Sequence, residues 1–327
     1  MELQLKNIGM IKEANVKIDG LTVIAGENDT GKSTVGKALF SILECSLEYA
    51  TNANFILKNI FQEKEILING SITLVTDKET KFFLLMNKDG TLKSGVNNLK
   101  DFPGRGIFIE TPIIWNMQEF FNSLVQIESR LKSKGDITDI PYPYLMKDLY
   151  YKLQTKRPRE NSFISSKESI KDVIKGELIK NKQTNDYRFY KGDSSYNLFN
   201  VATGIKYFGL IQVLIDNYQL DKEAILILDE PEVHLHPNWQ LEMAKIIVEL
   251  VKNGVKILVN SHSPYMIEAL ERYGEKAEIN MDFYLAEDGI IDKVNDNNSA
   301  TLSKIFEKLS APFDVFDQMD SEKLRNG

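Results

Sequence analysis

Three short segments of this sequence carry residue types that phosphate chemistry requires. The first is Gly26-Glu27-Asn28-Asp29-Thr30-Gly31-Lys32-Ser33, which directly follows the apolar stretch Leu21–Ala25. Glycines let such a loop curl tightly and expose its backbone N–H groups to phosphate oxygens. The helix expected after the loop adds the partial positive charge of its N-terminus. This spacing between a strand and a helix therefore predicts a phosphate-binding loop.

The residues at the end of this loop have separate expected roles. Lys32 is placed to reach the β- and γ-phosphates of a nucleotide, and the hydroxyl of Ser33 is placed to ligate Mg²⁺. We expect Thr34 to lie near the α-phosphate. The cofactors that the loop predicts are therefore ATP and Mg²⁺.

The second segment places two carboxylates at the end of a strand. Ile225–Leu228 is a short apolar stretch of the kind that is buried on both faces of a sheet, and Asp229 and Glu230 follow it. The first carboxylate suits Mg²⁺, bound directly or through an intervening ligand. The second can orient or deprotonate an attacking water. We therefore expect Asp229 to serve the metal and Glu230 to act as the general base.

The third segment ends another strand with a histidine. Lys256–Asn260 is followed by Ser261-His262-Ser263, and His262 is a candidate contact for the γ-phosphate or for the attacking water. The other two histidines, His234 and His236, follow the carboxylate pair closely. A His-x-His pair with a distant third histidine also fits a zinc hydrolase, so this alternative stays open.

Composition restricts the classes of protein to which the chain can belong. Hydrophobic residues make up 43% and charged residues 27% of the 327 residues, as in ordinary globular proteins. No apolar stretch approaches the roughly 18–20 residues of a membrane helix, and Met1–Lys6 lacks the apolar core of a signal peptide. The single Cys45, expected to be buried, excludes an internal disulfide and fits a reducing compartment. We therefore expect a cytoplasmic protein without membrane contact.

The charge of the chain is unevenly distributed. A net charge of −7 argues against a uniformly basic nucleic-acid binder. Between Lys147 and Lys191, however, nine Lys and three Arg outnumber six acidic residues. Clustered Lys and Arg supply the phosphate contacts that dominate nucleic-acid binding. This stretch is therefore either a solvated helical surface or a contact surface for a polyanion such as DNA.

Strands and helices are expected at the places that would position these segments. Apolar residues at helical spacing predict helices over Lys32–Ala50 and Gly204–Tyr218. A third helix starts at His236-Pro237, with proline at its favoured first position. The predicted strands are Glu2–Lys6, Ala14–Ile18, Leu21–Ala25, Ile66–Thr76, Lys81–Met86, Gly106–Glu110 and Ile225–Leu228.

The order of these elements predicts an α/β fold that contains an insert. Residues 1–111 and 191–327 form the two halves of one nucleotide-binding head, in which a mixed sheet is flanked by helices. Residues 112–190 form a helical, partly basic insert, and its pattern is interrupted by Pro141, Pro143 and Pro158.

The three segments together resemble one group of ATPases. Gly26–Thr34, Leu228–Pro237 and Asn260–Pro264 are similar to motifs of the ABC-superfamily ATPases of the SMC, RecF and OLD group. The run Pro231-Glu232-Val233-His234-Leu235-His236-Pro237 is especially similar to OLD-like and Septu-type bacterial defence ATPases. The resemblance covers both halves of the head and hardly any of the insert. It implies an ABC-type P-loop fold.

The resemblance also implies a composite ATP site. In that group a signature loop of one subunit caps the γ-phosphate that the other subunit holds. Val201–Lys206 lies at the expected place, with Thr203 where the family has serine and Gly204 as its glycine. Ile205 replaces the second glycine of the family pattern, but a helix N-terminus here still offers N–H groups to phosphate. We therefore expect Thr203 and Gly204 to bind ATP across a dimer.

The function that the resemblance implies is nucleotide-gated regulation. ATP binding and hydrolysis would control a head-to-tail homodimer, or a higher oligomer, in antiphage defence together with a separate effector, a nuclease. The insert is too short and too rich in proline for the long coiled coil of SMC proteins. The residues after His262 contain no convincing acidic metal cluster of a nuclease domain.

Two other ATPase functions are alternatives to this one. A RecF-like DNA-binding protein of repair would use the basic stretch between Lys147 and Lys191. The ATPase subunit of a membrane transporter is disfavoured by the altered signature loop. It is also disfavoured by the lack of a recognisable Q-loop glutamine, for which Gln62 and Gln118 are candidates without a supporting motif.

Overall fold

Within the residues that the computed structural model describes, one eleven-stranded sheet and a separate three-stranded sheet are covered by helices. The described residues are 1–47, 53–62, 67–96, 104–134, 143–158, 163–181, 183–184 and 186–326. The strands are β1 (Glu2–Ile8), β2 (Ile11–Lys17), β3 (Leu21–Ala25), β4 (Ser71–Val75), β5 (Lys81–Met86), β6 (Leu92–Val96), β7 (Arg105–Ile109), β8 (Glu177–Lys180), β9 (Tyr187–Lys191), β10 (Ser194–Asn197), β11 (Ala224–Asp229), β12 (Lys256–Ser261), β13 (Met281–Glu287) and β14 (Ile290–Asp292).

The helices connect these strands. They are α1 (Lys32–Leu47), α2 (Ala53–Phe61), α3 (Gln118–Ser133), α4 (Tyr144–Gln154), α5 (Ile164–Ile174), α6 (Thr203–Asp216), α7 (Pro237–Lys252), α8 (Pro264–Lys276) and α9 (Asn298–Asn326), with short 3-10 turns at Pro112–Met117, Leu198–Asn200 and Val294–Asp296.

The large sheet is parallel in one half and antiparallel in the other. Its strand order is β6-β5-β4-β1-β2-β14-β13-β3-β12-β11-β7. Strands β13, β3, β12, β11 and β7 are parallel neighbours, whereas β2, β1, β4, β5 and β6 pair antiparallel. The carboxyl ends of parallel strands meet at one edge of a sheet, where α/β proteins bind their ligands. The loops after β3, β11 and β12 therefore converge, and they contain the three segments whose residue types suit phosphate chemistry.

Helices cover both faces of the parallel half. Residues of β11 alternate between two hydrophobic clusters: Leu226 and Leu228 pack with α6 and α7, and Ile225 and Ile227 pack with α1. The strand is buried along its whole length. This explains why its sequence is a continuous apolar run without alternation.

Helix α1 approaches the sheet closely at Gly36. A Cβ atom at this position would lie 3.0 Å from Ile227, 3.1 Å from Phe108 and 3.2 Å from the side chain of Asn260. These residues belong to β11, β7 and β12. The missing side chain therefore allows the helix that begins with Lys32 and Ser33 to lie directly against the strands that carry the carboxylates.

Most predicted elements are confirmed, with shifts at their ends. Helix α1 ends at Leu47 rather than Ala50, and residues 48–50 lie outside the described residues. The strand predicted from Ile66 to Thr76 begins only at Ser71. Asn69, with a positive φ of 58°, and Gly70 form the turn that delays it. Cys45 is buried on α1, as expected.

The prediction of helix throughout residues 112–190 is wrong in its last part. Helix α5 ends at Lys175, which adopts a left-handed conformation with φ of 53°. From Glu177 the chain forms the three-stranded antiparallel sheet β10-β9-β8, which continues beyond residue 190 to Asn197. Leu178, Tyr187 and Phe189 alternate with more exposed residues, a period of two that the basic composition of this stretch masks.

The predicted insert packs onto the head. Phe121, Tyr150 and Leu153 belong to the same buried cluster as residues of β11, β12 and α6. The indole N–H of Trp115 donates to the backbone oxygen of Lys206 on α6 over 2.9 Å. The division into residues 1–111, 112–190 and 191–327 stays a prediction.

Candidate functional site

The loop between β3 and α1 is held closed by its own lysine. Nζ of Lys32 donates to the backbone oxygens of Gly26 and Glu27, over 3.0 and 2.6 Å. The hydroxyl of Thr30 donates to the oxygen of Glu27 over 2.9 Å. Asp29 and Gly31 have positive φ values of 64° and 91°, which produce the tight curl. Since α1 begins at Lys32, its N-terminus lies at the end of this loop.

Burial makes Lys32 a strong site for an anion. Its side chain is only 4% exposed, and burial lowers its pKa from the ordinary value, although the charges of Glu230 and Asp229 counteract the effect. Among the described residues, its hydrogen-bond partners are the two neutral carbonyl oxygens. A buried ammonium without an ion pair is stabilised strongly by a phosphate group.

Gly26 allows the phosphate loop to pass close to β13. A Cβ atom here would lie 2.4 Å from the backbone oxygen of Ala286, a distance that no side chain tolerates. The glycine is therefore required by packing as well as by the loop. Glu27, Asn28 and Asp29 are exposed at the loop surface, and Thr34 lies in the first turn of α1.

The carboxylate of Asp229 lies against the start of α1. Its Oδ1 accepts hydrogen bonds from the hydroxyl of Ser33 over 3.1 Å and from the side-chain amide of Asn260 over 2.8 Å. Asp229 is 7% exposed, and burial raises its pKa above 3.8 more than the two hydrogen bonds lower it. The structure therefore brings Ser33 and Asp229 together, as a shared metal site requires.

These residues fit Mg²⁺ by the chemistry of their donors. A hydroxyl and a carboxylate oxygen are hard ligands, and Mg²⁺ usually takes only one or two protein carboxylates beside substrate phosphates and water. The buried charge of Asp229 is offset by the hydrogen bonds from Ser33 and Asn260 and by the charge of Lys37. In addition, Oδ1 of Asn260 is buried without a hydrogen-bond partner. Such polar groups beside a carboxylate favour a bound cation.

Replacing Asp229 with asparagine is expected to stabilise the nucleotide-free protein at pH 7. Because its folded-state pKa is raised, the stability linked to Asp229 is full below pH 3.8 and is lost as the pH rises through the folded-state pKa. Removing the buried charge should therefore raise the free energy of unfolding at pH 7. Urea denaturation of both proteins measures this. An unchanged or lower stability of Asp229→Asn contradicts it, and the difference should shrink as the pH falls toward 4.

Glu230 and His262 form a pair beside this cluster. Nδ1 of His262 lies 3.2 Å from Oε1 of Glu230, and both side chains are partly exposed, at 38% and 34%. Glu230 has a positive φ of 49°, and its N–H donates to the backbone oxygen of Asn260 over 2.9 Å. The turn after β11 thus directs the second carboxylate away from the sheet and toward the open side of the phosphate loop.

Sequence reasoning missed two residues that hold this pair. Asn260 orients Asp229, and Glu232, which is 4% exposed, accepts hydrogen bonds from the Ser261–Ser263 segment. The sequence around Glu232, an acid that follows a proline in a turn, does not indicate which residues it contacts. The only available signal was the polar Asn-Ser ending of an otherwise apolar strand, which indicates buried hydrogen bonding.

Thr203 and Gly204 form the uncapped N-terminus of α6. The N-cap residue is Ala202, and it provides no side-chain hydrogen bond. The first N–H groups of the helix are therefore left for another acceptor, which suits phosphate. Gly204 also has a packing role, since a Cβ atom there would lie 2.8 Å from the ring of Trp239 and 3.1 Å from Leu235. Contact of Thr203 and Gly204 with ATP stays a prediction.

The packing role of Gly204 is tested by alanine. Overpacking against the rigid indole of Trp239 should lower the free energy of unfolding of Gly204→Ala by about 1–3 kcal/mol. Thr203→Ala is the matched control at the neighbouring position, because it adds no atoms and should change stability by less than about 0.5 kcal/mol. Equal urea midpoints for wild type and Gly204→Ala would show that the contact with Trp239 relaxes freely.

The three histidines do not form a common site. His236 is the N-cap of α7, where its Nδ1 accepts from the N–H of Asn238 over 3.3 Å, and His234 is exposed with φ of 68°. His262 faces Glu230 instead. Among the described residues, no group of three or more His, Cys, Asp or Glu side chains could hold a metal ion. The zinc hydrolase is therefore not supported.

Neither candidate glutamine serves the site. Gln118 is buried, donates to the backbone oxygen of Trp115 and accepts from the N–H of Tyr187. Gln62 donates to the backbone oxygen of Asn59 at the end of α2. Directly after β7, whose last residue Ile109 pairs with Leu228, the chain instead has Glu110, and its Oε1 lies 3.9 Å from Nζ of Lys37.

Many charges of the basic stretch are used inside the protein. Lys152 donates to the backbone oxygen of Gly106 and pairs with Asp148, and Arg157 pairs with Asp221 over 2.7 Å. Other pairs are Lys147 with Glu128, Lys167 with Asp216 and Lys171 with Glu177, and Lys156 lies over the ring of Tyr218. These contacts favour a structural role for the stretch over a surface that binds DNA.

Comparisons with known proteins agree with this geometry. A family model described as AAA ATPase domain matches residues 116–267, and another described as AAA domain matches residues 1–101. The solved structure of an SMC head bound to the C-terminal winged-helix domain of ScpA superposes with a TM-score of 0.53 and 14% identity. It covers 89% of this chain and 95% of that chain. The chain has the fold of an SMC-type ATPase head.

Two further similarities are weaker. The SMC head of Thermotoga maritima superposes on 89% of this chain and 96% of its own chain, with a TM-score of 0.46 and 13% identity, too low to add to the argument. The Septu protein PtuA of Bacillus thuringiensis is 37% identical over 49 residues, which are 15% of this chain and 12% of that protein. The match thus spans a small part of either protein.

Apolar helices of membrane-crossing length are not found in the described part of the chain. Its long final helix α9 carries charged residues throughout.

Proposed function

We propose that this chain binds ATP with Mg²⁺, hydrolyses it as a head-to-tail homodimer, and uses the nucleotide state to regulate a separate effector. The observation that supports the proposal best is the convergence of three loops. Lys32 and Ser33 contact Gly26 and Asp229, and Glu230 pairs with His262 beside them. Phosphate binding, metal binding and activation of water are thereby combined at one edge of the sheet.

Hydrolysis in this site is an in-line attack of water on the γ-phosphorus of ATP. Glu230 accepts a proton from the water as the new P–O bond forms, and the bond from the γ-phosphorus to the bridging oxygen of ADP breaks. His262 fixes the carboxylate through Nδ1 and contacts the γ-phosphate or the water. Lys32 and the N-terminus of α1 stabilise the charge on the phosphate oxygens.

Mg²⁺ would be held by Ser33 and Asp229 on the protein side. The ion would supply positive charge that offsets the charge developing on the phosphate oxygens. Asn260 keeps the carboxylate of Asp229 oriented, since its amide donates to the same oxygen as Ser33.

Dimerisation follows from the openness of the site. Glu230 and His262 are about one third exposed, so a single subunit leaves water free access to the γ-phosphate. The uncapped N-terminus of α6 offers free N–H groups that could close the site of a second copy. ATP bound between the two subunits would stabilise the dimer by mass action.

Mixing two inactive variants tests the composite site. Lys32→Ala should fail to bind ATP but keep its α6 N-terminus, and Thr203→Glu should bind ATP but repel the γ-phosphate of its partner. An acidic residue in the first turn of a helix does not harm folding. In an equal mixture, half of the dimers are mixed and contain one intact site, so about a quarter of the wild-type rate should return. A mixture as inactive as its components would contradict the shared site.

We further propose that the effector is a separately encoded nuclease of antiphage defence. The support is the partial similarity to the Septu protein PtuA and the Pro231–Pro237 run. The test is copurification with the product of the adjacent reading frame, with and without ATP. We expect nucleotide-dependent association and nuclease activity. A neighbour that neither associates nor cleaves DNA or RNA would contradict the proposal.

A further inference from the structure

Glu232 occupies an unusual place for a carboxylate in this protein. Its side chain is 3% exposed, three residues after Asp229, in the turn between β11 and α7. Buried carboxylates are unfavourable unless several donors satisfy them. Within the described residues, no Lys or Arg forms an ion pair with Glu232, and its hydrogen-bond donors belong to the Ser261–Ser263 segment.

One oxygen of Glu232 collects that whole segment. Oε1 accepts from the hydroxyl of Ser261 over 2.7 Å, from the backbone N–H of His262 over 2.8 Å and from the N–H of Ser263 over 3.2 Å. The same oxygen lies 3.5 Å from Nδ1 of His262. Two consecutive backbone N–H groups thus turn inward, and the conformation of the segment depends on this acceptor.

The segment is also anchored from the other side. The hydroxyl of Ser263 donates to the side-chain oxygen of Gln240 on α7 over 2.6 Å, and accepts from the N–H of Met266 as the N-cap of α8. These contacts fix Ser263 but not the residue before it. The direction of the His262 ring toward Glu230 is left to the contacts with Glu232.

We propose that Glu232 is the positioning residue for His262: its hydrogen bonds to Ser261–Ser263 set the distance between the imidazole and Glu230 during ATP hydrolysis. This inference rests on the proposed ATPase function. In this proposal Glu232 acts through the histidine and not on the reacting atoms. The sequence gives no indication of this role, since nearly thirty residues separate Glu232 from His262.

The kinetic effects of substitutions distinguish positioning of His262 by Glu232 from a purely structural role of this buried side chain. Glu232→Ala should lower kcat by about a hundredfold, the scale of a 1 Å misplacement of a catalytic group. Its KM for ATP should change less than about threefold, because Lys32, Ser33 and Asp229 keep their contacts. Glu232→Gln retains an acceptor oxygen at the same place and should recover kcat to within about fivefold of wild type.

Tyr207 provides a matched control. Its hydroxyl is buried without a hydrogen-bond partner, and burial together with the charge of Glu232 raises its pKa, so it lies in the same cluster. Tyr207→Phe disturbs this cluster without touching the His262 segment. Its kcat should stay within about twofold of wild type, since removing an unpaired polar group is nearly neutral.

The deciding experiment measures ATP hydrolysis in a double-mutant cycle of Glu232→Ala and His262→Ala. If Glu232 acts through His262, the double variant has the kcat of His262→Ala alone. The inference would be overturned if the kcat losses of the two single variants multiplied in the double variant, or if Glu232→Ala kept the kcat of wild type. It would also be overturned if the kcat of Glu232→Gln or of Tyr207→Phe were as low as that of Glu232→Ala. If Glu232→Ala does not fold, Glu232→Asp, which withdraws the carboxylate, replaces it in the same cycle. A wild-type protein that does not hydrolyse ATP would refute the proposed function instead.

Discussion

Lys32→Ala is expected to lose ATP binding by at least about a hundredfold. The ammonium group is buried at the start of α1, and its hydrogen-bond partners within the described residues are the carbonyl oxygens of Gly26 and Glu27. Charge-assisted hydrogen bonds contribute about 1.5–3 kcal/mol each, and two lost bonds to phosphate exceed a hundredfold in affinity. Equilibrium binding of a fluorescent ATP analogue measures the loss.

Lys37→Ala is the matched control for this variant. Lys37 lies on the same helix, farther from the loop, and its ion pair with Glu110 at 3.9 Å is partly exposed. Exposed pairs of this kind contribute about 0–1 kcal/mol, so ATP affinity should change by less than about fivefold. Wild-type affinity in Lys32→Ala, or equal losses in both variants, would contradict the assignment of the phosphate loop.

Glu230→Gln is expected to lower kcat for ATP hydrolysis by about 10²–10⁴-fold, the contribution of a general base. Glutamine has the same shape, so the turn with its positive φ of 49° and the contact with His262 can persist. ATP affinity should stay within about threefold, because Lys32 and Asp229 are unchanged. Unhydrolysed ATP should then accumulate in the dimer, which light scattering detects as a doubled mass.

Glu268→Gln serves as the acidic control. Glu268 lies on α8, where it forms an exposed ion pair with Arg272, and it has no proposed part in ATP binding or hydrolysis. It should hydrolyse ATP at the wild-type rate. If Glu230→Gln also hydrolyses ATP at that rate, Glu230 is not the base, and the function of its pairing with His262 must be sought elsewhere.

The sequence predicts those parts of the site that depend on local geometry. The glycines and Lys32 specify the loop, and the apolar run before Asp229 specifies a doubly buried strand, so their meeting at one sheet edge follows from parallel strand order. Thr203 was likewise expected at a helix start, which α6 confirms. Each of these signals lies within about ten consecutive residues.

Contacts between distant segments could not be predicted in the same way. The bonds of Glu232 to the His262 segment and of Asn260 to Asp229 join different strands and turns, and no spacing rule encodes them. The strands β8 and β9 are not predicted because each is only four or five residues long and lies in a stretch rich in lysine and arginine, in which the alternation of buried residues is hard to recognise. For the basic stretch the sequence leaves open a solvated helical surface or a contact surface for a polyanion, and in the structure Lys152 and Arg157 pair with acids within the protein.

The proposed ATPase site is tested most directly by identifying the nucleotide that remains bound after a single turnover. Wild type and Glu230→Gln, each in excess over radiolabelled ATP with Mg²⁺, would be separated from free nucleotide and the bound fraction chromatographed. We expect both proteins to bind ATP equally at first. Wild type should then form ADP and phosphate, whereas Glu230→Gln should retain intact ATP. ATP left intact by wild type, or cleaved equally fast by both proteins, would contradict a site in which Lys32 and Asp229 bind the nucleotide and Glu230 activates the water.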